Sequence, residues 1–72
     1  MKVSIVIEKD ANGYYAFSPE LEGCHSQGET LDEVLKNIKE AVQLYIETLS
    51  EEEKRLYLNK EILTTSIDIN VA

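Results

Sequence analysis

Apolar residues recur on one side of a helix from Leu31 to Leu49. Leu31, Val34, Leu35, Ile38, Ala41, Val42, Tyr45, Ile46 and Leu49 fall together at roughly 100° per residue, and Asp32, Lys36, Lys39, Glu40, Gln43 and Glu47 occupy the opposite arc. Leu44 breaks the pattern, an apolar residue on the polar side. Thr30 can accept from the unpaired amides of the first turn, and Thr30-x-x-Glu33 has the spacing of a capping box. Glu29, Asp32 and Glu33 put negative charge at the positive end of the helix dipole. Asp32 precedes Lys36 by four residues, the favourable order for such a pair. No Gly or Pro interrupts 31–49, so this stretch predicts one long helix.

Ahead of the helix the period changes to two. From Lys2 to Lys9, Val3, Ile5 and Ile7 share one face, while Lys2, Ser4, Val6 and Glu8 share the other; β-branched residues dominate, so this is a strand. Asp10-Ala11-Asn12-Gly13 is a turn, with Asn-Gly suited to the positive φ of a hairpin loop. Tyr14 to Ser18 is a second strand, with Tyr14 and Ala16 on one face and Tyr15 and Phe17 on the other. Pro19 ends it, because proline cannot donate to a ladder. Glu20-Leu21-Glu22-Gly23 connects to a short third strand from Cys24 to Gln27, and Gly28 lets the chain bend into the helix. Short links make an antiparallel meander the simplest arrangement.

Beyond Leu49, Ser50-Glu51-Glu52-Glu53 repeats the capping logic and predicts a short helix from Glu51 to Leu58. Alternation returns from Ile62 to Val71, where Ser66, Asp68 and Asn70 oppose Ile67, Ile69 and Val71, and predicts a fourth strand. The expected fold is a two-layer α+β domain of order β-β-β-α-(α)-β, spanning 1–72 as a single unit. One face of the sheet packs on the long helix. Val6 and one set of the second strand leave apolar residues on the other face, which needs its own cover. The short helix or a second copy of the chain could supply it.

Size and charge narrow the function. A chain of 72 residues buries only about 60% of its unfolded surface, so packing or self-association must add stability. Cys24 is the single cysteine and His25 the single histidine, so neither an internal disulfide nor a structural zinc site is available. The net charge of −7 argues against direct nucleic-acid contact, which needs a basic surface. It suits a basic protein partner. No apolar run approaches the roughly 20 residues of a membrane span, Met1-Lys2 leads directly into strand pattern, and a lone thiol fits a reducing cytoplasm. Cys24 and His25 are adjacent on a strand and point to opposite faces, so they do not form a nucleophile–base pair. Glu8 and Asp68 could meet if the first and fourth strands pair, the basis of a residual metal-dependent nuclease reading. Edge charges that discourage strand pairing explain the same residues more simply. No cofactor motif is present; Gly23 to Gly28 lacks the spacing and the lysine of a phosphate loop.

The segments Tyr15 to Cys24, Ser26 to Val34 and Asn37 to Val42 closely resemble the HicB antitoxin family. They carry its Pro-acid-Leu-x-Gly-Cys, Gly-acid-Thr-x-x-Glu and Asn-x-x-Glu-Ala patterns, over roughly residues 3–48 without gaps. Val34 stands where the family usually has alanine, and Glu22 where proline is common. The resemblance implies a truncated ribonuclease-H-like fold without a working active site. It also implies an antitoxin of a type II toxin–antitoxin pair, whose usual partner is HicA, a small basic ribonuclease that cuts mRNA. Many members continue into a C-terminal DNA-binding segment, whereas this chain ends at Ala72, so a short form is expected. A non-enzymatic homodimer follows, with Glu20, Glu22, Lys36 and Glu40 as candidate partner contacts. An orphan homo-oligomer with another protein partner is the alternative.

Overall fold

The computed structural model describes residues 1–71. Strands β1 (Val6–Asp10), β2 (Gly13–Phe17) and β3 (His25–Gly28) form an antiparallel sheet in the order β1-β2-β3. The register sets Ile7 beside Ala16 and Ala16 beside Ser26 on one face, and Val6, Phe17 and His25 in a row on the other. Two residues, Ala11 and Asn12, link β1 to β2. Asn12 does not take the positive φ that Asn-Gly suggests; Gly13 does, at +124°. The Asp10 carboxylate instead accepts from the Asn12 amide at 2.8 Å, a local Asx turn that sets the loop geometry.

The first strand begins four residues later than the alternation predicts. Phe17 is the last residue of β2 and pairs with Val6, and Pro19 turns the chain away, so residues 2–5 have no ladder partner. Their backbone is tied differently: the Ser4 amide donates to Glu20 Oε1 at 2.8 Å.

Helix α1 (Leu31–Glu47) follows β3 almost at once. Thr30 Oγ1 accepts from the Glu33 amide at 3.1 Å. The expected capping box is only half made, since Glu33 returns no bond to Thr30. The Glu33 Cβ and backbone lie close against Gly28. A Cβ on Gly28 would lie 2.7 Å from the Val34 nitrogen and 3.1 Å from the Glu33 carbonyl carbon. Gly28 therefore serves close approach more than bending. Seated this way, α1 covers β3 and β2 and leaves β1 largely uncovered. It stops two residues short of the predicted end, where the Thr48 hydroxyl donates to the Tyr45 carbonyl. Ser50 then caps α2 (Glu51–Tyr57) with a complete capping box, Ser50 Oγ accepting from Glu53 and Glu53 Oε1 accepting from Ser50.

Ala16, Leu21, Cys24, Val34 and Ile38 are buried together as the core. Val3, Ile5, Tyr45, Tyr57 and Leu58 pack around them, half-buried. Leu21 enters the core from the loop between β2 and β3. Three backbone bonds hold that loop: Ser18 N–H to Cys24 O, Leu21 N–H to Ser18 O and Cys24 N–H to Leu21 O. The Tyr45 hydroxyl donates to the Glu22 carbonyl at 2.9 Å and fastens the loop to α1.

Residues 62–71 do not form the predicted fourth strand. Alternation makes a strand only where an edge receives it, and here no edge of the same chain does. Leu63, Ile67, Ile69 and Val71 stand 68–90% exposed. Nor does α2 supply the second cover of the sheet; it turns Tyr57 and Leu58 toward the core instead.

This packing can be tested at Gly28 and at Cys24. Gly28→Ala forces a methyl against the first turn of α1, an overpacking that costs about 1–3 kcal/mol. The melting temperature should fall by roughly 4–8 °C per kcal/mol, and an unchanged melt would show that the contact relaxes freely. Burial pushes the Cys24 thiol above its ordinary value of 9.0. The folded chain then keeps a proton that the unfolded chain has begun to lose, so this stabilisation is intact below the ordinary value and is lost as pH rises through the raised one. The wild type should lose stability more steeply than Cys24→Ala as pH rises above 9.0, and equal slopes would contradict the assignment. At neutral pH, alkylation of Cys24 should be slow.

Candidate interaction surface

The structure separates the groups that could have done chemistry. Cys24 is 5% exposed and faces the core, while His25 is exposed on the other side of β3. Asp68 lies in the unpaired segment and is not beside Glu8 on a neighbouring strand. Among the described residues, no three His, Cys, Asp or Glu side chains converge in a way that could hold a metal ion.

The polar arc of α1 is where exposed charge gathers. Lys36 and Glu40 are both exposed, one helical turn apart. Beyond them Glu40, Gln43, Leu44, Ile46 and Glu47 line a shallow groove. Leu44, the residue out of phase in the sequence, is 64% exposed in that groove. An aliphatic side chain flanked by two carboxylates offers a contact with both apolar and ionic character. Glu22 is exposed in the β2–β3 loop, and Tyr45 links its backbone to the same helix.

Glu20 does not join this surface. It was expected to be exposed beside Glu22, yet it is 6% exposed. The loop turns its side chain inward, where the carboxylate receives the otherwise unpaired Ser4 amide. An acidic residue in a polar loop gives no sign in the sequence of such a backbone partner sixteen positions away.

The sheet face opposite α1 carries a second cluster. The Tyr15 ring lies 6.0 Å from Phe17 and 5.8 Å from His25, centroid to centroid, both tilted. The pattern of β2 marked its two aromatics, and cross-strand register adds His25. Lys60 reaches this face and lines a depression with Tyr15, Phe17 and the loop. Nothing in either cluster provides an activated nucleophile, and both are suited to binding.

Comparison with known proteins agrees with the sequence patterns. The family described as the HicB-like antitoxin of bacterial toxin–antitoxin systems matches residues 3–70. A UPF0150 protein of Helicobacter pylori is 46% identical over 72 residues, all of both chains. One from Archaeoglobus fulgidus is 42% identical over 64 residues, covering 88% of this chain and 93% of its own. Another, from Thermoplasma acidophilum, is 46% identical over 57 residues, covering 78% and 83%. No solved structure matches significantly. Among the described residues, no helix is long and apolar enough to cross a membrane. The chain belongs to the HicB-like antitoxin family of bacterial toxin–antitoxin systems.

Proposed function

We propose that this protein acts as a homodimeric antitoxin, neutralising a small basic mRNA-cleaving toxin of the HicA type by covering its active surface. A ribonuclease needs a cationic surface to hold its substrate, and an acidic protein competes for that surface directly. The observation that carries the reading is the outward face of α1, where Leu44 stands exposed between Glu40 and Glu47. Ionic contacts there speed and orient the encounter, and Leu44 provides apolar area that desolvates on binding. The net charge of −7 supports the same reading. Lys36 and Glu22 extend the contact, while Glu20 is assigned to the fold because of its bond to Ser4. Among the described residues, no carboxylates converge in favour of the metal-dependent nuclease reading.

The test is co-purification of the tagged chain with a toxin encoded in its own genome, followed by titration of the purified pair. Glu22→Lys with Glu40→Lys should weaken binding by about tenfold or more and flatten its salt dependence. Leu44→Ala should raise the dissociation rate, and toxicity should return on co-expression. Binding unaffected by either change would move the interface elsewhere on the molecule. A toxin that cannot be recovered at any salt concentration would remove the proposal.

A further inference from the structure

The segment from Glu61 to Val71 and the free edge of β1 are complementary halves of a sheet that the single chain leaves open. The segment alternates cleanly: Leu63, Thr65, Ile67, Ile69 and Val71 fall on one side, Ile62, Thr64, Ser66, Asp68 and Asn70 on the other. Leu63, Ile67, Ile69 and Val71 are 68–90% exposed, while Ile62 is half-buried. A solvated loop has no use for such a pattern, whereas a strand half-covered by a core requires it. The family match runs through residue 70, so this segment is part of the domain.

The receiving edge can be identified. The sheet has two outer strands, β1 and β3. On β3 the Gln27 carbonyl already accepts from Asn37 Nδ2 at 2.9 Å, and α1 packs closely along that strand. Strand β1 has no such cover. Glu8, Lys9 and Asp10 guard its hairpin end with charge, but Val6, Ile7 and the unpaired residues 3–5 ahead of them are apolar apart from Ser4. Ile7, on the same face as Ala16, remains 37% exposed because α1 covers β2 and β3 and does not extend over β1.

We infer that two copies of this chain exchange these segments, each laying its residues 62–71 along the Val3–Ile7 edge of the other. One observation favours exchange over return to the same chain. The segment stands off: the radius of gyration is 14.3 Å, against about 11 Å for a compact chain of this length. Reciprocal exchange closes under a two-fold axis and consumes both open elements in each copy. Seating two such arms removes on the order of 1,000 Å² from water, the lower limit of a specific interface. This inference rests on the homodimer in the reading above and names its seam; it is independent of the toxin.

The test uses the purified full chain without a toxin. Sedimentation equilibrium should give a dimer, and Ile67→Lys with Ile69→Lys should raise its dissociation constant at least a hundredfold. The substitutions lie outside the core, and circular dichroism confirms that α1 remains folded. In a mixed dimer of differently isotope-labelled chains, NMR should show intermolecular contacts between the methyls of Ile67 or Ile69 and those of Ile5 or Ile7. A monomer at millimolar concentration overturns both the dimer and its seam. A dimer indifferent to the two lysines, or one whose arm contacts are only intramolecular, overturns the exchange and leaves the dimer standing.

Discussion

The approach of the α1 backbone to Gly28 governs the rest of the molecule. With a hydrogen in place of a side chain, the first turn of the helix can settle directly on the end of β3. Thr30 then caps the helix in the space of two residues, and its direction is set before its apolar stripe begins. Val34 and Ile38 consequently arrive over Ala16 and Cys24. The same end of the sheet is crowded at Gly13, where a Cβ would lie 2.9 Å from the Gly28 carbonyl oxygen. Two glycines from different turns thus meet at one corner, and the sheet and helix share that corner as their reference point.

The residues that mark the family are mostly accounted for by structure. In the Pro-acid-Leu-x-Gly-Cys run, Pro19 stops a strand, Glu20 holds the Ser4 amide, Leu21 fills the core and Cys24 completes it. Asn37 of the helix pattern binds the Gln27 carbonyl. On the outward side of α1 the pattern includes the exposed Glu40, while Lys36 and Leu44 lie outside it. This division is what a binding protein needs: the frame holds the helix still, and the exposed residues can suit a particular partner.

Helix phase, the identity of the first three strands and the sides of the sheet were legible in the sequence, because each is a local period imposed on a continuous segment. The exposure of Lys36, Glu40 and Leu44 follows from the same period. What escaped depends on partners distant in the chain. The start of β1 is decided by where β2 stops opposite it, and the burial of Glu20 by an amide released from that pairing. Asn12 failed to adopt its usual hairpin role because the Asp10 side chain imposed another turn. The alternation of residues 62–71 states what kind of neighbour the segment suits, and says nothing about which molecule carries that neighbour.

The core has a kinetic consequence. Its buried apolar side chains all lie between Ala16 and Ile38, so every loop that must close to assemble them is short. Contacts of low sequence separation form quickly, since little chain entropy is lost before they are rewarded. During synthesis, the sheet and the first half of α1 leave the ribosome ahead of the exposed aliphatic residues near the C-terminus and can condense first. The stickiest part of the chain emerges only after the body beside it has folded, which limits the time in which it can capture a wrong partner.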